Sequence, residues 1–250
     1  MSELEFYNGL LLVWPILSGV IFLMLLFLTA PYGRHTRKGW GPEVSNRVGW
    51  ILMECPSVFL IAAIFFMGTP TAVGLFFLIL WEVHYVHRTF VFPFRIRSKA
   101  KPMPLMIALS GFFFNCVNSY LNGRGLSFFS EYPDSWFVDP RFAIVVGLFV
   151  LGFAINFQSD QILLSLRKPG ETGYKIPKGG LYRWVSCPNY LGEMLEWTGW
   201  AIATWSSFGL IFAVWTAANL IPRAVAHHRW YREKFPDYPA GRKAVIPLLC

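Results

Sequence analysis

The sequence has few charged residues and no cysteine pattern that would indicate a disulfide framework or a zinc site. Charged side chains make up 14% of the 250 residues, whereas soluble domains carry about a quarter. The four cysteines (Cys55, Cys116, Cys187 and Cys250) are widely spaced and include no CxxC pair. The chain also lacks a GxGxxG motif after a strand and a GxxxxGKS/T motif. A Rossmann dinucleotide-binding domain and a P-loop are therefore excluded.

Apolar residues are abundant instead. Hydrophobic residues make up 55% of the chain and aromatic residues 18%, and the mean hydropathy is +0.45. This composition is typical of a multi-pass membrane protein, and it excludes a disordered or low-complexity chain.

Segments of about 20 mostly apolar residues, the length that crosses a bilayer, predict seven transmembrane helices. We therefore expect an all-α integral membrane protein in which residues 1–250 form a single transmembrane domain. Only Trp205, Ser206 and Ser207 separate the last two segments, so six helices is the alternative. The predicted spans are residues 9–30, 48–67, 71–92, 104–122, 141–165, 189–205 and 207–230.

Basic residues are distributed unevenly between the loops. With seven spans, all but two of the 22 lysines and arginines lie on one side of the membrane; the exceptions are Arg124 and Arg141. The positive-inside rule then places the C-terminus in the cytoplasm and the N-terminus outside, in a bacterial inner membrane or the endoplasmic reticulum. The net charge of +8 is thus explained by orientation in the lipid bilayer. It does not indicate a nucleic-acid partner, and no obligate protein partner is evident.

Ionisable side chains inside a bilayer are costly unless they are paired or functional, so those within the predicted spans mark candidate sites. Glu54 lies in the middle of span two, where its carboxylate has no route to the headgroups. Other polar residues share helix faces toward the cytoplasmic side, because they are three or four positions apart. These pairs are Tyr85 with Arg88, Asn156 with Asp160, Asn189 with Glu193, and Arg223 with His227.

Some polar residues have a simpler interpretation. Arg88, Arg229 and Tyr231 lie near helix ends, where such side chains commonly extend to the headgroups. His84 and His228 are expected to be hydrogen-bonded packing residues. Glu54 has neither explanation, so we favour it as a site residue.

The connection between spans five and six, RKPGETGYKIPKGGLYRWVSCPNY, is rich in proline, glycine and basic residues. Proline and glycine end helices and form turns. Backbone N–H groups together with lysine and arginine can bind a phosphate there. A solvated loop that binds anionic lipid explains the same composition equally well.

Several long segments occur in an order that is recognisable. The longest is NFQSDQILLSLRKPGETGYKIPKGGLYRWVSCPNYLGEMLEWTGWAIATW, and the tail contains HHRWYREKFPDYPAGRKAVIPLL. Upstream, PYGRHT, MECPS, HYVHRTFVFPF and EYPDSWF follow in the same order. Together these segments resemble the steroid 5α-reductase (3-oxo-5-alpha-steroid 4-dehydrogenase) family, and the chain is similar to a bacterial-type homologue. The resemblance covers nearly the whole chain.

The resemblance implies a seven-helix reductase of the 4,5 double bond in 3-oxo-Δ4-steroids such as testosterone or progesterone. It also implies NADPH as cofactor, entering from the cytosol, and no metal. Residues 1–122 would form mainly the substrate pocket, and residues 141–250 mainly the cofactor half.

Carried over position by position, the catalytic Glu and Tyr of the family match Glu54 and Tyr85. Lys175 departs from the family, in which Arg is frequent, so a bidentate phosphate contact would become a point charge. The positions that match or accompany cofactor-binding residues are Asn156, Asp160, Arg167, Tyr174, Lys175, Asn189, Glu193, Trp197, Arg223, His227 and Tyr231.

The burial of Glu54 and the family match together suggest one chemistry. Hydride addition to the β-carbon of an enone leaves negative charge on the carbonyl oxygen, and hydrogen-bond donors at that oxygen lower the barrier. Tyr85 can donate through its hydroxyl group. Glu54 can donate only when it is protonated, a state that an apolar environment favours. We therefore expect both residues to hold the 3-oxo group.

Two other function classes are open. Membrane methyltransferases that use S-adenosylmethionine on lipid-like substrates also have a basic, turn-rich C-terminal region. Their methyl donor carries no phosphate, so the pair of Glu54 and Tyr85 and the many basic residues favour the reductase. A seven-helix transporter or receptor is less favoured, because the sequence shows no internal repeat and its polar residues crowd at one membrane face.

Overall fold

The computed structural model describes residues 1–96, 101–168, 171 and 173–248. Arg97 and Lys99, which belong to the basic side of the predicted topology, lie outside these residues. The same holds for Pro169, Gly170 and Cys250.

Within the described residues the regular structure is almost entirely α-helical, as predicted. The strands described there, β1 (Glu43–Val44) and β2 (Met103–Pro104), form one short antiparallel pair. A π-helical turn at His87–Val91 connects α4 to α5, and another at Gly125–Phe129 follows α6. The helices are α1 Glu3–Phe27, α2 Asn46–Glu54, α3 Pro56–Phe66, α4 Ala72–Val86, α5 Phe92–Arg95, α6 Leu105–Arg124, α7 Pro140–Ser165, α8 Pro188–Thr204 and α9 Ser207–Lys234.

In the part of the chain that the structure describes, five helical segments are long and apolar enough to cross a membrane, which agrees with a multi-pass membrane protein. The predicted number of seven is not confirmed, because α6 and α8 are not among the five. The sequence of α6 contains three asparagines, and α8 is 17 residues long and contains Glu193 and Glu196. The five segments are Glu3–Phe27, Asn46–Phe66, Ala72–Arg95, Pro140–Ser165 and Ser207–Lys234.

The last two predicted spans are separate helices. Trp205, directly after α8, has a left-handed backbone conformation with φ of 44°. The hydroxyl of Ser206 then accepts a hydrogen bond from the backbone N–H of Gly209 at 3.1 Å and caps α9. A cap of this kind satisfies an amide that has no partner in the first helical turn.

The chain divides into two compact units, and α1 contributes to both. Unit 1 contains residues 1–12 and 30–143, and unit 2 contains residues 13–29 and 144–250. In unit 1, the Tyr7 hydroxyl donates to the carbonyl of Leu121 at 3.0 Å. In unit 2, the indole of Trp215 donates to the carbonyl of Trp14 at 2.9 Å.

Within unit 1, α6 packs closely against the segment formed by α2 and α3. A side chain at Gly111 of α6 would collide with the side chain of Met53. Further along α6, the hydroxyl of Ser119 donates to the carbonyl of Pro56 at 3.1 Å. Small side chains and hydrogen bonds of this kind are typical contacts between helices in a membrane.

Within unit 2, the backbones of α7 and α8 are in contact, because glycines lie where the helices cross. A Cβ atom added at Gly152 would lie 2.4 Å from the backbone nitrogen of Glu196. One added at Gly192 would lie 2.5 Å from the backbone nitrogen of Asn156. Backbone atoms cannot move aside as a flexible side chain can, so this approach requires glycine at both positions.

Candidate active site

Glu54 ends α2 at a break in the second membrane-crossing segment. Pro56 follows two residues later and has no N–H group to continue the helical hydrogen bonds. Backbone carbonyls next to the break accept hydrogen bonds from side chains instead of from a helical N–H group. The thiol of Cys55 donates to the carbonyl of Leu52 at 3.4 Å, and the Asn115 amide donates to that of Met53 at 2.7 Å. The break therefore places a carboxyl group at a point where polar groups already converge.

The carboxyl of Glu54 has a partner that the sequence analysis missed. The Nδ2 atom of Asn115 donates to Oε2 of Glu54 at 3.1 Å, and both residues are buried. Asn115 belongs to a buried polar face of α6, although residues 104–122 were predicted simply as an apolar span. The sequence signal for this polar face is the helical spacing of the residues that form it. They are Asn115, Asn118, Ser119 and Asn122.

Tyr85, the second predicted catalytic residue, lies in α4 of the same unit and is 4% exposed. Its ring lies 4.8 Å from the ring of Trp81, one helical turn earlier, and 4.9 Å from that of His84. The Trp81 indole donates to the carbonyl of Ser57 in α3 at 2.8 Å. Trp81 therefore connects α4 to the helix that begins immediately after Glu54, and it limits the positions available to the Tyr85 ring.

Asn156, Asp160 and Asn189 form a hydrogen-bonded group in unit 2. The side-chain amide of Asn156 in α7 donates to the backbone carbonyl of Asn189 in α8 at 3.0 Å. The Asn189 amide in turn donates to Oδ1 of Asp160 at 3.2 Å. Asn156 and Asp160 are each 4% exposed. Glu193 lies one helical turn after Asn189 on α8.

Arg223 and His227 of α9 are brought together through Tyr190, which the sequence analysis did not single out. The Arg223 guanidinium donates to the Tyr190 hydroxyl at 3.2 Å and to Oδ1 of Asn219 at 2.7 Å. The same hydroxyl lies 3.2 Å from Nε2 of His227. Tyr190 follows Asn189 directly, so these contacts connect α9 to the polar start of α8.

The connection between α7 and α8 carries two of the predicted phosphate-binding residues. The Arg167 guanidinium donates to the carbonyl of Gly173 at 3.2 Å and lies 5.9 Å from the ring of Tyr174. Lys175 is exposed and forms an ion pair with Glu171 at 2.5 Å. An exposed ion pair of this kind contributes little to stability, so it is no obstacle to binding an anion.

Two predicted cofactor residues lie in aromatic surroundings. Trp197 is 1% exposed, and its ring lies 4.4 Å from that of Phe212 and 5.8 Å from that of Phe149. Tyr231, at the end of α9, stacks on Tyr238 with ring centroids 5.2 Å apart.

The segment after α9 holds the start of α8 in place. The backbone N–H of Ser186 donates to the carbonyl of Lys243 at 2.8 Å. The Ser186 hydroxyl lies 2.6 Å from Nδ1 of His228 and 2.6 Å from the Tyr238 hydroxyl. His228 is thus hydrogen-bonded, as predicted. Arg242 in the same segment is buried and donates to the carbonyl of Pro177 at 3.0 Å.

The PYGRHT segment contributes positive charge through arginine and not through histidine. Burial, together with the neighbouring positive charges of Arg34 and Arg37, lowers the pKa of His35 to about 4. His35 is therefore neutral near pH 7, so Arg34 and Arg37 carry the charge of this segment.

Comparison with known proteins shows the family. The family model described as 3-oxo-5-alpha-steroid 4-dehydrogenase matches residues 101–250. The chain is 44% identical over 239 residues to 3-oxo-5-alpha-steroid 4-dehydrogenase 1 of Bos taurus, covering 93% of each chain. It is 42% identical over 255 residues to Steroid 5-alpha-reductase DET2 of Solanum lycopersicum, covering 99% of this chain and 98% of the tomato protein.

The chain therefore belongs to the 3-oxo-5-alpha-steroid 4-dehydrogenase family, whose members are oxidoreductases that act on a CH–CH group. The resemblance noted from the sequence segments is confirmed. A match of this identity over nearly the full length also sets aside the methyltransferase and transporter alternatives.

Proposed function

We propose that this protein reduces the 4,5 double bond of a 3-oxo-Δ4-steroid with NADPH, and that Glu54 and Tyr85 bind the 3-oxo group. The relatives are named for this activity on steroids. The observation in the chain itself that supports the proposal best is the buried carboxyl of Glu54, which is 9% exposed in an otherwise apolar crossing segment. An ionisable group inside a bilayer costs about 3 kcal/mol or more unless it is paired, so a protein retains one where it has a function.

The residues of unit 1 suit the stabilisation of an oxygen that becomes negative. As charge develops on the 3-oxo atom, the Tyr85 hydroxyl and the protonated carboxyl of Glu54 donate hydrogen bonds to it. Fixed donors in a site that excludes water stabilise such charge more strongly than water does. The positions of both side chains are constrained by the contacts with Trp81 and Asn115.

The residues of unit 2 fit a phosphorylated dinucleotide. Asn156, Asp160 and Asn189 form a polar group that can exchange hydrogen bonds with hydroxyl or carboxamide groups of a cofactor. Arg167 and Arg223 offer guanidinium groups, which are well suited to phosphate oxygens. When bound, NADPH would supply the hydride for the reduction.

The same proposal includes the full membrane topology, with α6 and α8 as further crossing helices, the N-terminus outside and the cofactor residues facing the cytoplasm. The polar face of α6 is buried in the protein, and a crossing helix tolerates polar residues in that position. At 17 residues α8 is short, with a length of roughly 25 Å against a hydrocarbon core of about 30 Å. A helix shorter than the core is accommodated by local thinning of the bilayer.

The test of the activity is an absorbance assay with purified protein in detergent. NADPH or NADH would be offered with testosterone, progesterone, a polyprenal or an enoyl-CoA. We expect NADPH consumption with the two steroids and formation of their 5α-reduced products. No consumption with either steroid would exclude the proposed substrate class.

The cofactor assignment predicts a specific effect of removing Arg167. Arg167→Ala should raise the KM for NADPH by about 10-fold or more, the loss expected for a charge-assisted hydrogen bond. The value of kcat at saturating cofactor should change little. The matched control is Lys178→Ala, which removes an exposed positive charge from the same connection and should leave both constants unchanged. An equal effect of the two substitutions would mean that only the general positive charge matters.

A further inference from the structure

Asn115 makes two hydrogen bonds that together determine the orientation of its side chain. Its Nδ2 atom lies 2.7 Å from the carbonyl oxygen of Met53 and 3.1 Å from Oε2 of Glu54. An asparagine amide nitrogen has two N–H donors, and these two contacts use both of them.

The Met53 carbonyl removes the usual ambiguity between the oxygen and nitrogen of an amide. A carbonyl oxygen can only accept a hydrogen bond. If the Asn115 amide were turned over, its own oxygen would lie against that of Met53 at 2.7 Å, and two acceptors would oppose each other. The nitrogen must therefore face Met53, so the N–H group directed at Oε2 of Glu54 is also determined.

This arrangement makes the two oxygens of the Glu54 carboxyl inequivalent. Because Oε2 accepts from Asn115, it has the role of the carbonyl oxygen when the carboxyl is protonated. We propose that Asn115 is the positioning residue of the active site, because its hydrogen bond to Oε2 fixes the orientation in which the carboxyl of Glu54 meets the substrate carbonyl. This role rests on the proposed function of Glu54.

The helix that carries Asn115 is attached to the break at Pro56 on both sides of this residue. One turn before it, Gly111 allows α6 to lie against the Met53 side chain. One turn after it, the Ser119 hydroxyl donates to the Pro56 carbonyl at 3.1 Å. Asn115 and Ser119 are 4% and 0% exposed. Water does not compete for these bonds at such burial, so the position of the amide is set by the packing of α6.

The test compares two substitutions of Asn115 with one of a second buried asparagine. Asn115→Leu removes both donors at similar volume, and Asn115→Asp keeps the shape but replaces the nitrogen by an oxygen. Each should lower kcat with a steroid by about 10-fold to 100-fold, the effect of a misplaced catalytic group, while the KM for NADPH stays near the wild-type value. Asn122→Leu is the control, because the Asn122 amide bonds to Asn118 within the same helix. It should retain wild-type kcat.

Infrared difference spectra supply a readout that general destabilisation would not give. The C=O stretch of the protonated carboxyl would be assigned by its disappearance in Glu54→Gln. Loss of the Asn115 donor should shift this band to higher frequency, because the carbonyl oxygen loses a hydrogen bond. Asn122→Leu should leave the band in place. In the double variant Glu54→Gln/Asn115→Leu, kcat should be no lower than in Glu54→Gln alone.

The outcomes separate the two proposals. If Glu54→Gln loses turnover while both Asn115 variants keep wild-type kcat and Asn115→Leu keeps the band position, the positioning role is wrong and the function of Glu54 stands. If Glu54→Gln turns over at the wild-type rate, both proposals are wrong. A lower kcat together with the shifted band supports the role of Asn115.

Discussion

Replacement of Glu54 by glutamine is expected to lower kcat with a 3-oxo-Δ4-steroid by roughly 10²-fold, in the range found when a donor to a developing oxyanion is removed. Glutamine has nearly the same shape as the protonated carboxyl, and its oxygen can still accept from Asn115. Its N–H group is a much weaker acid than a carboxyl O–H, so it stabilises the charge on the substrate oxygen less. The measurement is kcat with testosterone or progesterone at saturating NADPH.

NADPH affinity provides the internal check for this substitution. The Kd of NADPH should be unchanged, because the proposal assigns Glu54 to the substrate carbonyl and not to the cofactor. Glu82→Gln is the matched control, since Glu82 is another carboxyl within a membrane-crossing segment. It should retain wild-type kcat. Full turnover in Glu54→Gln with NADPH still bound would show that Glu54 does not polarise the enone.

The second large effect is expected where α7 and α8 cross. The methyl group of Gly192→Ala would lie 2.5 Å from the backbone nitrogen of Asn156 and 2.6 Å from the carbonyl oxygen of Gly152. The helices must separate to admit it, and overpacking of this kind costs about 1–3 kcal/mol. Separation would also lengthen the hydrogen bonds that join Asn156 and Asp160 to Asn189, now 3.0 and 3.2 Å. We therefore expect a lower Tm together with a KM for NADPH raised by about 10-fold or more.

The control for this prediction lies on α7, the other helix of the crossing. An alanine Cβ at Gly147 of α7 would meet nothing within 4 Å. Gly147→Ala should therefore leave the KM for NADPH unchanged and keep or raise the Tm, because alanine favours a helix over glycine by about 0.5–1 kcal/mol. If Gly192→Ala behaved like Gly147→Ala, the close crossing of the helices would not determine the cofactor site.

Glu54 could be singled out as a candidate from the sequence because the cost of burying its carboxylate depends on that residue alone. A carboxylate in the middle of an apolar segment is costly wherever the rest of the chain lies. Its partner could not be identified in this way. Asn115 is 61 positions away, and nothing in the sequence states which helix packs against the break at Pro56.

For the membrane-crossing segments, too, the sequence predicts one part and the tertiary structure supplies the other. Five apolar runs are long enough to be recognised without any tertiary information. The helices α6 and α8 were predicted from the same criterion, but polar residues lower the hydropathy of α6, and α8 is only 17 residues long. In α6, burial shows that Asn115, Asn118 and Asn122 lie against protein. Hydropathy averages over a helix and contains no information about which face meets lipid.

The sequence by itself determined the class of the protein, the helical spacing of residues that share a face, and the family, because composition, period and segment order are properties of the linear chain. The pairing of Asn156 with Asp160 on α7 follows from 3.6 residues per turn. Only the tertiary structure decided which faces meet. Asn189 reaches Asp160 because Gly152 and Gly192 let α7 and α8 approach, and Arg223 meets His227 through Tyr190. These contacts depend on packing between helices that are distant in the sequence, and local periodicity does not specify such packing.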